Sequence, residues 1–204
     1  MNINDNHKTT IEFFSEFAEL SNRKIYFSEQ CYPGNVLHPV NLHKRYFYVP
    51  NTADELSFLV GFSDPKSLNS KDLFFGVFFP IVIDKSKHIL IREKNIIDRL
   101  NPFFNKRTIK SNSGSFNSSV AILGNDIDLV KTYFNLNLVQ NLILQSLKIE
   151  EAMYIGINGF DLNFVPAFTN KSNFGLYTRQ KWIIETNKIE ALFSLIEQFR
   201  LLLT

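Results

Sequence analysis

The chain has 204 residues, 22 basic and 20 acidic side chains, a formal charge of +2 and a hydrophobic fraction of 45%, values that suit a globular protein with a sizeable core. Scattered charges argue against a nucleic-acid binder, which concentrates Lys and Arg on one stripe. Eight glycines and one cysteine argue against Gly-cradled nucleotide loops and exclude a disulfide framework or a cysteine-rich metal site within one chain. The 21 phenylalanines foretell an aromatic core, and the Asn, Lys, Ile and Phe abundance needs no functional cause beyond AT-rich codons. The start "MNINDNHKTT" has neither a basic n-region nor an apolar h-region. A cytoplasmic protein is expected.

The first helix is predicted from about Thr10 to Leu20, with Thr9 and Glu12 at capping-box spacing and Ile11, Phe14, Phe17 and Ala18 on one face. Strands follow at "KIYFSE" and "KRYFYV", separated by the irregular Gln30 to His43 stretch with two prolines. A strand at "ELSFLVGF" leads to "LFFGVFFPIVI", which is too short to cross a bilayer as a helix and reads as a strand buried on much of both faces. A turn at "DKSK" and a return strand "HILIRE" come next, then a short helix at "NIIDRLNPFF" ended by Pro102.

Ser111 to Ser119, "SNSGSFNSS", reads as a flexible polar connector into the strand "VAILG". A helix begins at "NDIDLVKTYF" with Asn125 or Asp126 as cap, and a second runs from about Val139 to Lys148. In "MYIGINGFDLNF", Asn158-Gly159 signals a two-residue hairpin turn pairing Ile157 with Phe160, Ile155 with Leu162 and Met153 with Phe164. A third strand spans roughly Phe174 to Glu185. The last helix has Asn187 and Glu190 at cap spacing and Ile189, Leu192, Phe193, Ile196, Phe199 and Leu203 on one stripe. The sum is an α+β fold, a largely antiparallel sheet with an N-terminal helix, a central helix pair and a C-terminal helix packed on it. One domain over residues 1–204 is expected, with a weak seam near 111–119.

The succession of "LFFGVFF", "SFNSSVAILGND", "VQNLILQSL" and "MYIGIN", roughly half the chain, resembles an uncharacterised bacterial domain family commonly found behind a pair of transmembrane helices. This sequence has no such helices. The resemblance implies a non-enzymatic role and carries no catalytic residue across.

For chemistry, Cys31 with His38 and His43 is the one arrangement to weigh, since an imidazole near a thiol activates it as a nucleophile. Cys31 is expected to be packed in the core rather than catalytic: Glu29 disfavours a thiolate, and no Lys or Arg lies within six residues. Neither HExxH nor paired-Cys spacing occurs, so no metal or cofactor is expected. Asp126 and Asp128 read as helix-start acids rather than a catalytic pair. In "HKRYFYV", alternation sends His43, Arg45 and Phe47 to one face and Lys44, Tyr46 and Tyr48 to the other, so neither face is a nucleic-acid platform. The leading expectation is a non-enzymatic interaction or small-ligand-binding module, with Cys31, Tyr32, His38, His43 and Arg45 as binding candidates. The rival is a hydrolase or transferase using Cys31 with His38 or His43. The expected partner is a protein, a small molecule or a second copy of the chain, without nucleic acid or membrane insertion.

Overall fold

The computed structural model describes residues 3–34, 39–51, 55–66, 73–96, 98 and 108–204. Among the described residues, eight strands form one sheet: β1 (Tyr26–Tyr32), β2 (Leu42–Pro50), β3 (Phe58–Ser63), β4 (Leu73–Ile81), β5 (Ile89–Glu93), β6 (Val120–Gly124), β7 (Met153–Ile157) and β8 (Ser172–Thr178). Their spatial order is β1-β2-β3-β4-β8-β7-β5-β6, antiparallel at every junction. The α-helices whose bounds are described are α1 (Ile3–Leu20), α2 (Gly114–Ser119), α3 (Ile127–Tyr133), α4 (Asn137–Ser146) and α5 (Thr186–Leu203). The α+β expectation holds. Among the described residues, no helix is long and apolar enough to cross a membrane.

Strand alternation gives the sheet two apolar faces. In β4, Phe75, Val77, Phe79 and Ile81 point to the helices, and Phe74 and Phe78 point the other way, all buried. This is the physical meaning of "LFFGVFFPIVI": a central strand with no polar side. On the helix face, α1 seats Phe14 on Phe47 and Phe75, at ring separations of 4.3 and 5.5 Å. Helix α5 buries the whole predicted stripe from Ile189 to Leu203, with Phe199 5.0 Å from Phe174 of β8. Helices α3 and α4 add Val130, Val139, Leu142 and Ile143 to the same core.

The opposite face is covered by the β7–β8 connection, and here the two-residue turn at Asn158-Gly159 does not form. Met153, Ile155 and Ile157 pair with Thr178, Leu176 and Phe174 of β8. Asn158 adopts a left-handed φ of 53°, and its Oδ1 accepts the Asn173 N–H at 3.0 Å, closing the ladder. The chain then crosses the sheet and buries Phe160, Leu162, Val165 and Phe168 on Phe58, Phe74, Phe78 and Tyr177. Phe160 stacks on Phe74 at 3.9 Å. Apolar alternation after Gly159 therefore serves a covering loop, because β8 offers an equally apolar edge and the second face needs a lid.

Other expectations need correction. "HILIRE" contains β5, but β5 pairs with β6 and β7 rather than returning along β4, both of whose edges are taken by β3 and β8. Helix α1 begins seven residues before Thr10. "SNSGSFNSS" is no flexible connector: Ser113 caps α2 by accepting the Phe116 N–H, Phe116 is buried, and Asn117 clamps both the N–H and C=O of Ser111 at 2.9 Å. The anticipated helix at "NIIDRLNPFF" falls largely outside the described residues.

Candidate functional site

The irregular stretch expected from Gln30 to His43 is shorter than its sequence implies, because β1 and β2 extend into it from both ends. Gln30, Cys31 and Tyr32 pair with Lys44, His43 and Leu42. His38 lies outside the described residues. Cys31 and His43 thus face each other across an antiparallel pair, on the side of the sheet that carries the helices.

On that side a row of residues crosses four strands, Glu29, Arg45, Ser63 and Leu73, each paired in register with the next. The row below it is Phe27, Phe47, Gly61 and Phe75. Phe47 lies flat over Gly61, where a Cβ would stand 2.3 Å from the ring. Trp182, just before α5, packs edge-on against Phe47 at 5.1 Å and Phe14 at 6.0 Å, and its Nε1 donates to the Phe62 carbonyl at 3.3 Å. This aromatic group ends α1's cover of the sheet and leaves the upper row uncovered.

The result is a cavity of about 480 Å³ walled by Thr10, residues 40–42, His43, Arg45, Ser63, Pro65, Leu73, residues 180–182 and Ile184. That volume suits a small organic ligand. Val40, Leu42, Pro65, Leu73, Trp182 and Ile184 make an apolar wall; His43, Arg45, Ser63, Gln180 and Lys181 supply the polar groups.

Glu29 organises the polar side. It accepts the Arg45 Nε–H, and its Oε1 stands 2.9 Å from His43 Nδ1. That nitrogen is buried and off the line of a hydrogen bond, so the contact is a charge contact available to the protonated ring. Burial pushes the Glu29 carboxyl up, but the hydrogen bond and charge of Arg45, helped by His43, outweigh it and hold the group below its ordinary value. At the rim, Lys181 stands 3.3 Å from Glu150, which also accepts from Lys188 of α5 at 2.8 Å.

Of the sequence candidates, His43 and Arg45 are in the cavity wall. Cys31 is exposed, contrary to the packed thiol expected, because β1 is the sheet's edge strand and packs chiefly on β2. It does not line the cavity, and no side-chain hydrogen bond joins it to His43. Tyr32 faces the other way: its hydroxyl donates to Asp64 Oδ2 at 3.3 Å and Lys66 sits 4.5 Å over its ring. Gln180, Lys181 and Trp182 were missed. The signal was there in a lone tryptophan within a polar segment between the last strand and last helix. Among the described residues, no cluster of three or more His, Cys, Asp or Glu could hold a metal. Comparison of the chain with family models, curated proteins and solved structures gives no match.

Proposed function

We propose that the chain is a non-enzymatic binding module whose ligand, a small molecule with an apolar body and a polar or acidic end, occupies the cavity beside Trp182. The observation that carries this reading is a concave site with one apolar wall and an Arg45–Glu29–His43 polar end. A nucleophile hydrogen-bonded to a base is the minimum for covalent catalysis, and Cys31 and His43 do not make that contact. Arg45 is already neutralised by Glu29, so the polar end selects by hydrogen-bond geometry more than by raw charge.

Trp182 is the single tryptophan and stands in the cavity wall, so its emission reports occupancy directly. Titration with octanoate, benzoate and octanol is expected to give a saturable change in Trp182 emission with at least one of them. Arg45→Gln is expected to weaken the binding of the acidic probes about tenfold; Cys31→Ser leaves it unchanged. No saturable change with any probe up to about 1 mM overturns the reading. Chemical conversion of a bound probe that disappears in Cys31→Ser replaces it with the enzyme reading.

A further inference from the structure

A second cavity, about 270 Å³, opens on the other face of the sheet, between the start of the β7–β8 loop and the ends of β5 and β6. Tyr177 of β8 leans beneath it. The residue is 1% exposed, yet its hydroxyl has no hydrogen-bond partner. Burying a hydroxyl without a partner is unfavourable, so an orphan at a cavity wall points to a ligand. Two glycines keep the space around it: a Cβ at Gly156 or Gly159 would stand 2.9 Å from the hydroxyl oxygen.

Arg179, two residues on, sends its guanidinium to the same cavity. It lies 5.1 Å from the Phe160 ring centroid and 5.6 Å from those of Tyr154 and Tyr177. Three aromatic faces orient the cation, but among the described residues no carboxylate pairs with it, and its buried Nε has no hydrogen-bond partner. No acidic residue lines the cavity. His88 lines the cavity, its Nδ1–H donating to the Asn158 carbonyl at 3.0 Å, which leaves Nε2 for another contact.

We propose that this cavity is a site for a small oxyanion, the phosphate or carboxylate group of a compact molecule, held by the Arg179 guanidinium and the Tyr177 hydroxyl. An oxyanion supplies the acceptors that both orphan donors lack, and the planar guanidinium matches it in two-point contact. Burial pushes the Tyr177 phenol up to about 12, against the charge and hydrogen-bonding pull of the nearby Arg179 guanidinium; the two groups lie close but short of hydrogen-bond geometry, so the hydroxyl keeps its proton and donates at neutral pH. The site is separate from the cavity beside Trp182, which lies across the sheet.

The test is calorimetric titration of the chain with inorganic phosphate, phenyl phosphate and benzoate. At least one is expected to bind saturably with a Kd of about 1 mM or lower, and the order of affinity tells phosphate from carboxylate as the group carried. Arg179→Met is expected to weaken binding about tenfold or more. Tyr177→Phe, which keeps the ring stack, is expected to weaken it about fivefold while thermal stability stays level or rises. No saturable binding up to about 10 mM, or binding untouched by Arg179→Met, overturns the proposal. So does binding that changes Trp182 emission and is lost in Arg45→Gln, which would place the anion in the first cavity.

Discussion

Glu150 shows how one carboxylate fixes the rim of a site. Its side chain is 9% exposed and joins Lys181, in the cavity wall, to Lys188 of α5. The hydrogen bond from Lys188, with those from the Glu151 N–H and Lys181, overcomes burial and lowers its pKa from 4.5 to about 2. A folded-state pKa below the unfolded one means stability present above 4.5 and lost as pH falls toward about 2. Glu150→Gln is therefore expected to cost about 1 kcal/mol at neutral pH, with the gap to the unmodified chain closing as both are unfolded in urea at successively lower pH. A gap independent of pH would mean the charge is irrelevant and only shape matters. At this scale part of the site could be read beforehand: period two put His43, Arg45 and Phe47 on one face and Lys44, Tyr46 and Tyr48 on the other. That Cys31 would be exposed could not, since exposure at a sheet edge depends on where the helices stop.

Helices and strands differ in how much their sequences disclose. The stripes of α1 and α5 specify which side is buried, because a helix satisfies its own backbone and needs only an apolar surface to lie on. A strand must also choose neighbours. Asn158-Gly159 has the chemistry of a tight turn, yet β7 takes β8 as partner fourteen residues on, a decision set by the exposed second face rather than by the dipeptide. The same contrast governs two glycines. A Cβ at Gly76 of β4 would stand 2.1 Å from the Leu176 carbonyl oxygen and 2.6 Å from the Tyr177 Cα, backbone atoms that cannot move without breaking the β4–β8 ladder. At Gly114, in the first turn of α2, a Cβ meets nothing within 4 Å. Gly76→Ala is expected to cost about 3 kcal/mol or abolish folding, and Gly114→Ala to add about 0.5 kcal/mol. Thermal melts of the two variants decide it; equal losses would refute the close approach at Gly76.

At the scale of the molecule, the sheet is a partition with an aromatic core on either side, and β3, β4 and β8 contribute side chains to both. Neither core can dissolve without uncovering strands that hold the other. Far-ultraviolet dichroism, which follows all eight strands and the helices, and Trp182 emission, which follows one corner, are therefore expected to share a single midpoint on heating. Two separated midpoints would mean that the helix-covered face and the loop-covered face melt independently. Pairing strands distant in sequence, such as β4 with β8, also places folding in the slower range of milliseconds to seconds.

One ribbon serves both cavities. Tyr177 and Arg179 turn to one side of the sheet, whereas Thr178, in register with Phe75 and Met153, and then Gln180 and Trp182 turn to the other. Within β8 the side a residue serves depends on parity, the odd or even count along the strand, and not on its identity. Exchange of one side chain for another disturbs a single cavity. Loss or gain of a single codon early in Ser172–Thr178 is a different kind of lesion: it inverts the strand positions after it, presenting Tyr177 to the helices and Thr178 to the opposite face. A change of length in this segment thus strikes both faces of the sheet at once.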